Sequence, residues 1–206
     1  MRMMNDPETE MNNGSSKPSD TEIVRRVLQG EINAFESLLL RYQDHVFEVV
    51  KKHVPYSEVE ETAHDVFVRA YQSLSTFQGR SSFRQWLSAI AVRACYDFWR
   101  KRYRNRELPM SSLTEEHPEW LEKVVSNRSG ESFDDNYSQK GARELLAWAL
   151  DRLSAEDRMV LELIYLEGLS GREASDLLGW SVANVKVRSL RARRKLRSLV
   201  MGLVEA

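Results

Sequence analysis

Seven cations, Arg84, Arg93, Arg100, Lys101, Arg102, Arg104 and Arg106, lie between positions 84 and 106, with Asp97 the one acid among them. Aromatic residues interleave with these cations: Phe83, Trp86, Tyr96, Phe98, Trp99 and Tyr103, with Phe77 just upstream. Aromatic faces stack on unpaired bases while cations hold the sugar–phosphate backbone, so this mixture suits separated nucleic-acid strands. Phe83 and Trp86 also fit an apolar helix stripe, whereas Trp99 and Tyr103 lie beyond its best-packed part and are expected to be exposed. A second set of seven cations, Lys186, Arg188, Arg191, Arg193, Arg194, Lys195 and Arg197, runs through positions 181–200 without an acid. The stretch before and into it, residues 169–188, reads as helix, tight turn, helix. The small Ala174 permits close crossing, Gly179 supplies the turn, and Val185 packs the second helix back on the first. In such a motif the second helix enters the major groove. Lys186, Arg188 and Arg191 lie near one outward side, suited to phosphate and guanine contacts.

Catalytic chemistry has far less to stand on. The four histidines, His45, His53, His64 and His117, form no metal-binding spacing, and the single cysteine, Cys95, excludes an intramolecular disulfide or a cysteine-cluster zinc site. Cys95 stands among apolar helix residues and reads as a buried thiol rather than a nucleophile. No phosphate-binding loop, dinucleotide fingerprint or serine-elbow motif occurs. The expectation is no catalytic site, no metal and no cofactor.

The elements that position these residues follow from the apolar periodicity. The chain has 206 residues, 42% hydrophobic and 30% charged, with only 9 Gly and 5 Pro, a composition that disfavours a turn-rich β protein. Its net charge of −1 conceals segregation, because residues 107–138 carry eight acids against Lys123 and Arg128. Residues 1–18 are polar, without an apolar period or a signal-peptide core, and read as a disordered tail. Helical stripes then follow: Ile23, Val24, Val27, Leu28; Phe35, Leu38, Leu39, Tyr42, Val46, Val49, Val50; Val59, Ala63, Val66, Phe67, Ala70, Tyr71, Leu74; and Phe83, Trp86, Leu87, Ile90, Ala91, Ala94, Phe98. Ser19 with Glu22, Ser57 with Glu60 and Ser82 with Gln85 have capping-box spacing at three of the helix starts. These helices form a first domain over residues 19–105. Residues 106–137 lose the period and read as an acidic, flexible linker whose acids Glu115, Glu116, Glu119 and Glu122 could rest against a basic face. The period resumes in a second domain, 138–206. The expected fold class is all-α, two small helical domains joined by a linker.

These residues resemble bacterial RNA polymerase sigma factors of the extracytoplasmic-function group. The resemblance rests on Asn33-Ala34-Phe35 with Tyr42, on residues 61–71 (Glu61 to Tyr71), on residues 77–87 (Phe77 to Leu87), on residues 90–94 (Ile90 to Ala94), on residues 153–158 (Leu153 to Arg158), and on the helix-turn-helix ending in Arg191-Ala192-Arg193. It implies that the two domains are the family's regions 2 and 4. The first would bind core RNA polymerase, melt the promoter and read a single-stranded minus-10 element; the second would read a duplex minus-35 element. It places minus-35 contacts at Asn184, Lys186, Val187, Arg188, Leu190 and Arg191. Minus-10 contacts fall on Phe77, Gln78, Gly79, Arg80, Ser81, Arg93, Asp97, Trp99 and Arg100, with the 77–82 loop as a pocket for a flipped base. Polymerase contacts fall on Glu60, Glu61, His64 and Asp65. His64, Arg93, Asp97, Lys186 and Val187 depart from the commoner family pattern. No apolar run approaches the roughly 18–20 residues that span a membrane, so the simplest reading of the composition is a cytoplasmic protein; the resemblance further implies a protein that is not itself an enzyme and is controlled by an anti-sigma factor, in many relatives membrane-bound. A DNA-binding regulator acting without polymerase, or a helical adaptor that binds only protein, are the alternative readings.

Overall fold

The computed structural model describes residues 18–105 and 135–204, which form eight α-helices joined by 3-10 turns and one π-helical turn. The expected tail up to residue 17 and most of the expected linker, including its four named acids, lie outside the described residues. The linker's last three residues, 135–137, belong instead to a helix.

Four helices make the first unit: α1 (Asp20–Leu28), α2 (Phe35–His53), α3 (Val59–Gln72) and α4 (Phe83–Asn105). Each buries most of the stripe its sequence marks, with Leu38, Val46, Val50, Val66, Leu74 and Leu87 almost wholly removed from water, but Leu28 and Tyr71, at the ends of their stripes, stay exposed. The caps sort themselves by geometry. Ser82 and Gln85 bond reciprocally, each side chain accepting from the other's backbone N–H. Ser19 accepts from Glu22 N–H, but the Glu22 carboxylate turns to Arg25. Ser57 does not cap α3 at all: it sits inside a 3-10 turn, Tyr56–Glu58, and α3 starts on Val59 with no side-chain cap.

The second unit holds α5 (Asp135–Leu150), α6 (Ala155–Leu161), a π-helical turn (Glu162–Leu166), α7 (Gly171–Leu178) and α8 (Val182–Val204). Ser154 caps α6, and Ser170 with Glu173 forms a full capping box on α7. Ala192 of α8 is buried with Leu150, Leu153 and Leu161, which fastens α8 to the rest of the unit.

The two units are not separate cores. Helix α4 packs against α6 and α7, and Leu87, Cys95 and Trp99 share one buried cluster with Met159, Leu163, Ala174, Leu178 and Val185. Trp99 corrects its expectation most directly. It is 2% exposed, because its indole N–H donates to His53 O at 2.7 Å and the Arg158 guanidinium covers its ring at 3.6 Å. Tyr103, expected beside it on the surface, stacks on Trp99 at 5.4 Å and is half-buried. Among the described residues no helix is long and apolar enough to cross a membrane.

Candidate nucleic-acid interface

The turn between α7 and α8 is built on Gly179, whose φ of 72° is a left-handed value that side-chain-bearing residues resist. Ser181 then opens α8, its hydroxyl accepting from Asn184 N–H at 3.2 Å. Val185 and Ala192 point inward and are fully buried. Asn184, Lys186, Val187, Leu190 and Arg191 are exposed. Asn184, Val187 and Arg191 recur at three and four residues, so they share one outward stripe at the start of the helix. Val187 and Leu190 leave 47% and 43% of their surface uncovered there, room for contact with base edges and thymine methyls. Arg188 departs from its neighbours. Three residues on from buried Val185, it turns toward its own unit, with its guanidinium 5.6 Å from the Trp180 ring and 3.5 Å from Asp157 Oδ1.

The second basic stretch is α4 and the loop before it. Residues 77–82 are irregular, and Gly79 has φ 67°. A Cβ on Gly79 would meet nothing within 4 Å, so the glycine serves the turn and not a close approach of protein backbone. Phe77 is half-buried against Phe83 and Trp86, with ring centroids 5.4 and 5.5 Å away, while Gln78, Gly79, Arg80 and Ser81 are exposed. Phe77 thus forms the floor of the loop and the next four residues its rim. Further along α4, Asp97 accepts from Arg69 at 2.6 Å and lies 3.4 Å from Arg100. Arg93 is bonded across to the second unit, its Nε donating to Leu177 O at 3.1 Å.

On α3, Glu60, Glu61 and His64 are exposed, while Asp65 is half-buried and paired with Arg69 at 2.8 Å. A groove of about 300 Å³ runs between α3 and α4, lined by Glu58, Glu61, His64, Asp65, Phe98 and Lys101 among others. The three sequence-derived sets are therefore brought to three places, the outer side of α8, the α4 face with its loop, and the outer side of α3, except that Arg188 turns inward and Trp99 is buried in the core. Among the described residues no group of three His, Cys, Asp or Glu is placed to hold a metal ion. Cys95 is wholly buried, and burial pushes its thiol up to about 12.

Sequence reasoning missed a polar centre between the units. His53 Nδ1 lies 2.8 Å from Glu162 Oε2 and its Nε2 lies 2.8 Å from Glu167 Oε1. The π-helical turn makes this possible: Glu167 N–H donates to Glu162 O, and the wide five-residue turn brings both carboxylates to one side. Glu162 also accepts from Arg158 Nε at 2.8 Å. Burial works against charge on His53, but its hydrogen bonds and attraction to the two carboxylates overcome it and push the imidazole up to about 9. A signal existed for both. His53 continues the Val46–Val50 stripe of α2, and Glu162 falls three residues after Met159 on an apolar stripe.

Two family models match the chain: Sigma-70 region 2 over residues 38–105, and Sigma-70, region 4 over residues 143–196. The ECF RNA polymerase sigma-E factor of Escherichia coli is 28% identical over 190 residues, 92% of this chain and 98% of that protein. The protein of the same name from Haemophilus influenzae is 25% identical over 186 residues, covering 90% and 97%. A solved structure of the Bartonella quintana sigma factor RpoE in complex with the anti-sigma factor NepR matches at 23% identity, TM-score 0.47, over 81% of this chain and 96% of that one.

Proposed function

Because the chain belongs to the extracytoplasmic-function group of the sigma-70 family, we propose that it binds core RNA polymerase in the cytoplasm and directs it to promoters by reading a minus-10 and a minus-35 element. The single observation that carries this reading is the uncovered stripe Asn184, Val187, Arg191 on a helix-turn-helix whose partner helix and Gly179 turn are fully formed. A side chain that reads a base edge must be free of its own protein, and these are. Arg191 suits a guanine edge, Asn184 an adenine edge, and Val187 a thymine methyl. Lys186, with Arg193 and Arg194 beyond, is placed for phosphates, which fix register without reading sequence. Arg188 supports the helix from behind through Asp157 and Trp180.

The loop Gln78–Ser81 over Phe77 suits a base taken out of the stack, with an aromatic floor and polar rim. Arg93, Asp97 and Arg100 would continue the path of that strand along α4. Trp99 does not offer its face while the units are joined. The exposed acids Glu60 and Glu61, with His64, suit a basic surface of the polymerase. The chain supplies specificity and the polymerase supplies nucleotidyl transfer, so no catalytic residue is assigned here. Control by an anti-sigma factor that covers these surfaces fits the same reading.

The test is transcription from a promoter library by core polymerase with and without the chain. Discrete start sites that appear only with the chain support the function. Identical products in both reactions contradict it.

A further inference from the structure

The seam between α2 and α4 is lined by cations that stand apart from the three surfaces above. Arg41, His45 and Lys52 recur at four and seven residues, so they share one side of α2. That side meets the first turns of α4, where the Tyr42 ring packs on Phe83 at 5.3 Å and His45 Nε2 lies 2.8 Å from Ser88 Oγ. Ser88 donates its own hydrogen to Arg84 O at 2.9 Å. Its oxygen therefore accepts from His45, which fixes the imidazole proton on Nε2 and leaves Nδ1 free. Among the described residues the half-buried His45 ring has no second hydrogen-bond partner. One turn before Ser88, the Arg84 guanidinium is exposed and makes neither an ion pair nor a hydrogen bond among the described residues. The acids nearby are already taken. Asp20 is held by Arg41 and Tyr42, Glu48 by Lys51, and Glu167 by His53 with Lys52. Exposed Asp44 sits about 100° round α2 from His45. Burial, and then repulsion from Arg84 and Lys52, hold the imidazole below its ordinary 6.5, so the free chain carries it neutral near pH 7.

We propose that His45 and Arg84 form a binding site for a backbone phosphate of the separated promoter strand, with Ser88 orienting the imidazole. The proposal rests on the promoter reading above and deepens it. The placement selects a strand over a free anion. Arg84 stands in the first turn of α4, directly after the 77–82 loop that suits an unstacked base, and exposed Arg80 lies within that loop. Arg84 and Arg93 are about two and a half turns apart, on opposite sides of α4. A strand on the Arg93 side therefore reaches Arg84 by crossing the N-terminal end of the helix, where backbone N–H groups and the helix dipole favour phosphate. Once seated, the phosphate offsets the repulsion that His45 feels from the two cations. The ring takes up a proton from solvent at Nδ1 and donates it in a hydrogen bond to a phosphate oxygen, while Arg84 supplies the second charge-assisted contact.

The test uses holoenzyme assembled from the full chain and core polymerase, with a fluorescent single-stranded oligonucleotide carrying a proximal block selected from a promoter library. Anisotropy reads affinity from about pH 6 to about pH 8 and across salt. The unaltered chain is expected to bind about three- to tenfold tighter at the acid end, because binding takes up a proton. His45→Gln keeps a donor for Ser88 but cannot take that proton, and is expected to remove the pH difference. Arg84→Gln is expected to weaken binding about three- to tenfold and to lower the salt slope by about 0.7, the loss of one contact to a single-strand phosphate. Both variants should keep their melting temperature and their binding to duplex minus-35 DNA. A pH difference that His45→Gln retains, or a salt slope that Arg84→Gln retains, overturns the site and leaves promoter recognition standing. Failure of the unaltered holoenzyme to bind the oligonucleotide overturns the promoter reading, and the site falls with it. Inorganic phosphate titrated into the free chain separates the two sources of the anion. If it moves the His45 ring resonances toward the protonated form as far as the oligonucleotide does, the site takes free anions and the assignment to a strand is wrong.

Discussion

His53 Nδ1 stands 2.8 Å from Glu162 Oε2, and the two residues, 109 positions apart, join the two helical units through a contact closed to water. A charge pair in that position makes the join sensitive to pH. His53 keeps its proton up to about 9, against an ordinary value of 6.5. Its contribution is therefore complete below about 6.5 and is lost as pH rises through about 9. Glu167 is held below its ordinary 4.5, chiefly by its bond to His53 with burial opposing, so its contribution is present above 4.5 and is lost as pH falls through the lowered value. The other groups around this centre are Glu162 and Arg158 from the second unit, Lys52 beside Glu167, and the Cys95 thiol on α4. Between pH 7 and 10 the join should lose roughly 3 kcal/mol that His53→Gln does not lose. Thermal unfolding of both chains across that range measures the difference, and parallel curves would remove His53 from this role.

The recognition helix separates two kinds of arginine. Arg191→Ala should weaken duplex binding by about 1–3 kcal/mol at the preferred sequence and flatten preference at one base pair. Arg188→Ala should lower melting temperature slightly, through lost contact with Asp157 and Trp180, and leave base preference as it was. Selection of bound duplexes from a randomised pool by each variant shows which residue reads sequence. A shift in preference with Arg188→Ala alone would reverse the assignment.

In the loop before α4, Gly79 at φ 67° has open space around it, so only its backbone conformation resists a side chain. Gly79→Ala should cost about 1 kcal/mol locally and leave the helices intact. Reshaping the loop should reduce strand opening in the polymerase complex while duplex minus-35 binding persists. Permanganate reactivity of promoter thymines is the readout, and unchanged reactivity would detach the loop from melting.

Much of this arrangement was legible in the sequence because period and caps act locally. The stripes of α2, α3 and α8, the Gly179 turn and the Ser170–Glu173 box all lie within a few residues of their causes. Ser57–Glu60 misled because a 3-10 turn competed for the same residues. Trp99 misled for a different reason. Its burial depends on Arg158 and His53, which no local pattern brings to it. The departure of Arg188 from Lys186 and Arg191 likewise needs Asp157, 31 positions earlier. Charges on apolar stripes, such as Glu162, are the local trace that such long-range partners leave.

On α3, charge reversal separates docking from stability. Glu60→Lys with Glu61→Lys alters two exposed side chains, so stability should stay within about 0.5 kcal/mol. Affinity for core polymerase should fall at least tenfold at low salt, and the difference from the unaltered chain should narrow as salt rises, because salt screens exposed charges. Asp65 is a poorer probe, because its pairing with Arg69 ties it to Asp97. Sedimentation or anisotropy with purified core polymerase measures the change, and undiminished assembly would move the docking surface elsewhere.

The central claim is that one chain reads two promoter elements on behalf of the polymerase. The most direct measurement maps transcript 5′ ends from a fully randomised promoter library transcribed by core polymerase with this chain, and again with Asn184→Ala/Arg191→Ala. The account predicts two enriched sequence blocks at a fixed spacing upstream of each start, with the distal block erased and the proximal block kept in the variant. Starts with no enriched blocks, or a distal block that survives loss of both side chains, would contradict it.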